Sequence, residues 1–478
     1  MLIKLGIYEP APRRTITNNI GWKILCEQEK VPFKASAQPD CPVMVFDGET
    51  PDWFARFMAG GGIGVVTDCH PDLLPFDVEY AGDASIENVD LTGLGGSLAR
   101  AQCITRLYHG TGYGKIRIHE NRVSKAGIIQ DEYPLFLYAS YGKGGCFFTG
   151  LPMSRLVTAL GDTLRATASF SNFTERIVSV DKHHLLKAMR EVLIMAFHRR
   201  GLPYVHLGYF PGDYQSALAF RIDIDGVFGE NLINISKSAL ENGFKLTFFA
   251  NKSLCNDEED FIRKIDPAHE VGNHADVHNL FTDYDSNLKN IRECKNWLNQ
   301  LGIADNPWFS SPRGMWNYSL HLALNDLGYL YTSDFGVGIG GFPFFPYVNG
   351  IKSGTLQIPV NPFSAERAAI WRLEAENQEI DAVYIADFYI KIIDENYRQG
   401  YPTILYSHPE KFGPMAGFVF QQINQKIADM NLWKTALTQF ARWWFKRDKI
   451  DYYVEYDPST QKTMIKGDID ADIRVREI

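Results

Sequence analysis

Apolar residues fall into short runs that alternate with stretches of helical period. Pro42-Val-Met-Val-Phe-Asp47 and Gly64-Val-Val-Thr67 read as buried strands ending in polar turns, and Gly144-Gly-Cys-Phe-Phe-Thr-Gly150 reads as a third. Residues 184–199 carry apolar positions at helical spacing. Strands and helices in alternation predict an open α/β sheet for this part of the chain. The turn-rich segments Gly201-Leu-Pro-Tyr204 and Tyr209-Phe-Pro-Gly-Asp-Tyr214 then predict a domain boundary near residue 215.

The alternation restarts at Ala217. A strand over 217–224, a helix over about 230–242 and the strand Lys245-Leu-Thr-Phe-Phe-Ala250 come first. Strand-like runs follow at Trp308-Phe-Ser310, Leu330-Tyr-Thr-Ser333, Leu356-Gln-Ile-Pro-Val360 and Thr403-Ile-Leu-Tyr-Ser407, with helical patterns at 285–301 and 317–327. Repeated β–α units make a barrel or a wound sheet, whose site lies at the carboxyl ends of the strands. Asp223, Asp225, Asp334 and His408 all fall at such ends. The tail predicts an amphipathic helix over 432–445 and then two short strands. Its tryptophans at helical spacing read as packing on the barrel, with contact to a membrane surface as the alternative. The predicted division is 1–215, 216–426 and 427–478.

At 478 residues the chain exceeds one ordinary core, in keeping with several domains. A net charge of −9 and a pI near 5.8 imply no broad basic surface, which excludes nucleic acid as a main partner. The seven cysteines are widely spread and form no CxxC pair, which suits reduced thiols in a reducing compartment. The first residues lack a charged region followed by a long apolar one, and no apolar stretch approaches a membrane span. The expected address is the cytoplasm. Oligomeric state is not encoded in these patterns.

The candidate chemistry is scattered. Phe220-Arg-Ile-Asp-Ile-Asp-Gly226 is an apolar run that turns acidic where a strand should stop. Residues two apart on a strand face one side, so Asp223 and Asp225 can line one mouth; an Asx turn before Gly226 is the alternative. In Glu270-Val-Gly-Asn-His-Ala-Asp-Val-His278 the two histidines are four apart, so a helical turn would bring both imidazoles to one ion. One aspartate with His274 and His278 would hold a metal with positions left open, and the other aspartate would take a proton from water. His408, in Ile404-Leu-Tyr-Ser-His-Pro409, is a candidate general acid. Asp334, in Tyr331-Thr-Ser-Asp-Phe-Gly336, would hold or tune that imidazole, or else cap a loop. The glycine run 60–64 reads as a weak phosphate-loop signal or a tight turn, and 336–341 reads as a loop near the site.

These residues carry a resemblance. Residues 217 to about 415 resemble the NodB-homology domain of polysaccharide deacetylases, carbohydrate esterase family 4. The acidic motif is matched by Asp223-Ile-Asp225-Gly226 with one inserted residue, the His-x-x-x-His motif by His274 and His278, and the Leu-x-x-His motif by residues 405–408. Arg221-Ile-Asp-Ile-Asp225, Ser333-Asp334 and His408-Pro-Glu410 are similar to motifs of formamido-arabinose lipid deformylases of lipid A modification. The resemblance implies a distorted (β/α) barrel, with Asp223 as base, Asp225, His274 and His278 as ligands of a divalent metal (zinc, or else cobalt, manganese or nickel), and His408 as acid. The roles of the two aspartates rest on motif order. One departure stands out: Phe309-Ser-Ser-Pro-Arg-Gly-Met-Trp316 has Ser310 where the family has an arginine that partners the base. Arg313 or Arg221 would substitute, or Arg313 would hold a substrate phosphate or carboxylate.

Residues 1–215 resemble, more loosely, a class I glutamine-amidotransferase-like, flavodoxin-like α/β domain that lacks the Gly-x-Cys-x-Gly nucleophile, so a non-catalytic role is expected. The implied function is a metal-dependent N-deacylase, removing acetyl or formyl from a nucleotide- or lipid-linked amino-sugar precursor of surface polysaccharide or lipopolysaccharide. Arg313, Trp316 and Tyr406 would bind the substrate. The alternatives are a catalytically silent carbohydrate-binding protein of the same fold and an amidase acting on small non-sugar amides.

Overall fold

The computed structural model describes the chain apart from residues 11–18, 91–103, 122, 126–128, 131–132, 160–162, 165–176, 179, 227–228, 304–305, 339, 362–363, 468 and 470–471. Contacts divide it into two units. The first gathers 1–159, 179–212 and 447–478; the second gathers 160–178 and 213–446.

The first unit is built on a seven-stranded sheet. Five strands run parallel, in the spatial order Phe33–Ser36, Leu5–Tyr8, Val43–Asp47, Ile63–Thr67 and Gly144–Phe148. In chain order this is second, first, third, fourth, fifth, the arrangement of a flavodoxin-like sheet. Val43–Asp47 and Ile63–Thr67 are buried throughout, as unbroken apolar runs in a parallel sheet require. Leu137–Tyr141, antiparallel to Gly144–Phe148, extends one edge, and Val123–Lys125 pairs antiparallel with it in turn. Between the fourth and fifth parallel strands the chain makes a long antiparallel ribbon, Val78–Asp90 against Ile104–Ile118. The sequence reading omits this ribbon, because its polar residues and glycines interrupt any strict alternation.

A buried polar cluster ties the segments of this unit together. Glu29, near the end of helix Ile20–Glu29, accepts from the Tyr209 hydroxyl at both carboxylate oxygens (2.6 and 2.7 Å) and pairs with Arg190 at 3.2 Å. Arg447 donates to the carbonyls of Gln28, Leu207 and Gly208. Strand Tyr452–Asp457 pairs with Leu2–Ile3, and Val475–Glu477 pairs with Val205–Leu207.

The second unit is an eight-stranded parallel sheet curled into a distorted barrel. From Leu356–Gln357 the order runs through Tyr331–Thr332, Trp308–Phe309, Glu270–Asn273, Thr247–Ala250 and Ser216–Ile224 to Thr403–Ser407. The segment after the first of these edges meets the last strand through a backbone bond from Asn361 N to the Ile404 carbonyl (2.9 Å). Leu218, Phe220, Ile222 and Ile224 belong to the apolar core shared with helices Gly229–Glu241, Ala382–Gln399 and Ala416–Lys426. Period-two alternation therefore leaves Ala217, Ala219, Arg221 and Asp223 on the other face, toward the barrel interior. That alternation positions the site.

Two expectations are corrected here. The helix expected over 432–445 begins only at Leu437 and runs to Asp448. Leu432–Lys434 is instead a strand parallel to residues 216–218, because burial of Leu432 and Trp433 comes with a free strand edge to pair with. The tail expected as one extension is shared: residues up to 446 belong to the barrel unit and 447–478 to the first. No helix among the described residues is long and apolar enough to cross a membrane.

Replacing Glu29 by alanine removes the acceptor shared by Tyr209 and Arg190. Breaking a buried charged cluster this way is expected to destabilise the first unit by about 3–5 kcal/mol. Chemical denaturation followed by tryptophan fluorescence reads the loss, and an unchanged midpoint would show the cluster to be dispensable.

Candidate active site

The strand Ser216–Ile224 pairs with Thr247–Ala250 on one side and Thr403–Ser407 on the other, so its carboxyl end lies between theirs. Arg221 and Asp223 share its inward face, and Asp225 follows directly after it. The histidine pair arrives differently from expectation. His274 follows the strand Glu270–Asn273, with its N–H on the Ala250 carbonyl (3.0 Å), and His278 lies in the loop beyond. No helical turn joins them. Ala275 takes a left-handed φ of 70°, Asn273 Oδ1 accepts from its N–H, and Asn251 donates to the carbonyls of His274 and Ala275. That kink brings the imidazole centroids to 5.2 Å. Ligand atoms of Asp225, His274 and His278 all lie within 4.8 Å of one another.

The chemistry of this set suits a divalent cation. His274 Nδ1 sits 2.8 Å from the Ser310 carbonyl, which can only accept, so Nδ1 carries the proton and Nε2 keeps its lone pair. His278 Nε2 is buried without a hydrogen-bond partner, 3.5 Å from Asp225 Oδ2. Burial pushes both imidazoles down to about 4, which keeps them neutral and competent as ligands. Two nitrogens and a carboxylate oxygen fit zinc or a neighbouring first-row ion.

Beside this set stands a second buried carboxylate. Asp223 Oδ2 accepts from Arg221 Nη2 at 2.7 Å, while Asp223 Oδ1 is buried with no hydrogen-bond partner. Arg221 is itself fully buried. It donates through Nη1 to the Ser333 carbonyl and lies between the rings of Tyr406 (5.3 Å) and Phe249 (5.6 Å). Of the two arginines weighed as partner for Asp223, Arg221 is the one that contacts it.

His408 follows the strand Thr403–Ser407. Its Nδ1 is 3.0 Å from Glu366 Oε2, and its Nε2 is 3.8 Å from Asp225 Oδ2. Burial opposes charge on this imidazole, but Glu366 first, then Asp225 and Asp223, outweigh it and raise its pKa to about 9. The expected partner, Asp334, is not in contact with it. Asp334 is fully buried and accepts from Ser311 N (2.6 Å) and the Thr332 hydroxyl, so it pins a loop rather than the acid. Glu366 was missed because it lies on helix Ala365–Glu376, which the sequence reading omits. Ser364, the N-cap of that helix, was the one local signal for it.

A cavity of about 440 Å³ opens over these groups. It is lined by Asp223, Asp225, His274, His278, Glu366 and His408, and further by Arg313, Phe335, Arg367 and Tyr406. Trp316, expected at the substrate, is not among the lining residues; it is buried with its ring against Tyr318 and His321. An Asp225→Ala or His274→Ala protein is expected to bind zinc at least on the order of tenfold more weakly than the unaltered chain. Calorimetric titration with zinc measures it, and equal affinity would remove these residues from the ligand set.

Residues 226–332 match the family model for polysaccharide deacetylases; the match starts directly after Asp225 and takes in His274 and His278. No curated protein sequence matches the chain. Among solved structures, a protein from Mycobacterium smegmatis assigned as a polysaccharide deacetylase is 17% identical, with a TM-score of 0.45 over 50% of this chain and 93% of its own. A family 4 carbohydrate esterase from Streptomyces lividans is 13% identical (TM-score 0.32), over 46% of this chain and 92% of its own. Agd3, a carbohydrate deacetylase, is 10% identical (TM-score 0.41) over 95% of this chain and 89% of its own.

Proposed function

We propose that the polysaccharide-deacetylase domain carried by this chain is a working, metal-dependent N-deacylase that removes an acetyl or formyl group from an amino sugar. The observation that carries this reading is the buried Arg221–Asp223 pair, set beside the Asp225–His274–His278 cluster in one cavity. A divalent ion bound there supplies Lewis acidity toward an amide carbonyl and makes water a stronger nucleophile. Asp223, with Oδ2 held by Arg221 and Oδ1 open, accepts the proton that the attacking water loses. As the water oxygen bonds to the acyl carbon, the C–N bond breaks. His408 gives its Nε2 proton to the leaving nitrogen, so that amine and carboxylic acid depart. Glu366, by accepting from Nδ1, keeps that proton in place at neutral pH.

Tyr406 and Phe335 line the cavity and offer ring faces to a sugar. Arg221, from inside the strand Ser216–Ile224, contacts Asp223 where the family would place an arginine at Ser310, which supports the catalytic reading over the silent binder. In the first unit, burial pushes the Cys69 thiol up to about 12 and Cys146 well above its ordinary value, in support of a non-catalytic role. A precursor of surface polysaccharide or lipopolysaccharide, handled in the cytoplasm on a nucleotide or lipid carrier, is the setting this reading favours.

The test is acyl release from N-acetyl and N-formyl amino sugars before and after chelation. Release is expected to stop on chelation and return with zinc or cobalt. His408→Ala is expected to slow it by about 10²–10⁴-fold. Undiminished turnover in metal-free His274→Ala protein would sink the mechanism.

A further inference from the structure

We infer that Arg313 reads a negatively charged group on the substrate, so that the amino sugar cleaved here carries a phosphate or a carboxylate. The inference rests on the N-deacylase reading and names the substrate class for that site.

The charges lining the cavity are nearly all matched. Asp223 is paired with Arg221 at 2.7 Å, Glu366 with His408 at 3.0 Å, and Asp225 faces the imidazoles of His278 and His408 at 3.5 and 3.8 Å. Arg313 lines the same cavity with an exposed side chain, and no carboxylate among the described residues pairs with it. A guanidinium so placed works against a divalent cation unless an anion joins them. Arg367, from helix Ala365–Glu376, adds a second guanidinium to the lining.

The backbone at Arg313 points the same way. Its φ of 58° is left-handed, a conformation that costs a residue with a Cβ about 1–2 kcal/mol. The loop holds it there. Ser311 N donates to Asp334, Gly314 N to the Ser311 carbonyl (2.9 Å), and Gly336 N to the Gly314 carbonyl (2.7 Å). Gly314 is left-handed as well, and a side chain there would lie 2.3 Å from the Phe335 ring, so the arginine cannot sit one residue on. Glycine at 313 would relieve the strain. Strain kept at a cavity wall is the mark of a side chain held for its function. A guanidinium offers a planar fork of donors that matches phosphate or carboxylate oxygens, whereas a sugar hydroxyl needs no charge.

The experiment uses zinc-loaded protein in a His408→Gln background, whose amide still donates to Glu366 and which on the reading above binds with release slowed about 10²–10⁴-fold. Calorimetry compares three probes: methyl N-acetylglucosaminide, N-acetylglucosamine phosphorylated at its anomeric oxygen, and N-acetylglucosaminuronic acid. One or both anionic probes are expected to bind about tenfold more tightly than the neutral one, a ratio worth about 1.4 kcal/mol. Which anion is preferred separates a phosphate source from a carboxylate source. Arg313→Gly is expected to abolish the preference while melting no lower than the parent, because glycine accepts the left-handed backbone. A preference unchanged in Arg313→Gly, or no preference in the parent, overturns the proposal. Acyl release is scored separately with the unaltered protein. An anion preference without release would therefore count against the deacylase reading, and release without the preference against Arg313.

Discussion

A guanidinium with no contact to solvent, set in the middle of a parallel strand, is the constraint on which the site depends. Arg221 and Asp223 are two apart, so the pleat puts both inside the barrel while Phe220, Ile222 and Ile224 face the helices. Taking two charges out of water is costly, and removing one partner would leave the other uncompensated. The surroundings answer that cost with the Ser333 carbonyl and two aromatic faces from the flanking strands. Those same contacts bring the carboxyl ends of three strands into register around Asp223.

Burial acts on the three site histidines in the same sense, yet they end in opposite states. His274 and His278 are held neutral, since desolvation outweighs Asp225 together with the Ser310 carbonyl at the first and Asp223 at the second. His408 is held charged, because Glu366 contacts its ring directly. One carboxylate thus separates ligands from acid within a single cavity. This is the way paired titratable groups acquire distinct roles when their environments push them apart.

The site was legible in sequence where its logic is local. The acidic pair at a strand end, the two histidines and His408 could be read because strand termini are marked by apolar runs that stop. The geometry between the histidines was not legible: a spacing of four suggests a helical turn, and only the left-handed Ala275 shows the loop. Glu366 lies 42 residues before His408, on a helix whose alanine-rich start carries little pattern. Asp334 looked available because it ends a strand, yet Ser311 and Thr332 already use its oxygens. Trp316 offers a sugar a ring in sequence, and in the structure that ring packs inward against Tyr318 and His321. The open α/β sheet of the first unit followed from alternation, its strand order did not, and the ribbon of 78–90 with 104–118 has no alternation to show.

The segment order of the first unit has a consequence for how the polypeptide is made. Among the described residues, its strands Leu2–Ile3 and Val205–Leu207 pair only with Tyr452–Asp457 and Val475–Glu477. Everything the ribosome adds between residues 213 and 446 belongs to the barrel unit. The domain begun first is therefore finished last: Leu2–Ile3, Val205–Leu207 and the carbonyls of Gln28, Leu207 and Gly208 that Arg447 takes up must wait, at a synthesis rate of about 5–20 residues per second, while the barrel unit emerges. During that interval those two strands are unpaired edges, whereas the strands of the barrel sheet all fall between residues 216 and 434 and need nothing from the tail to pair.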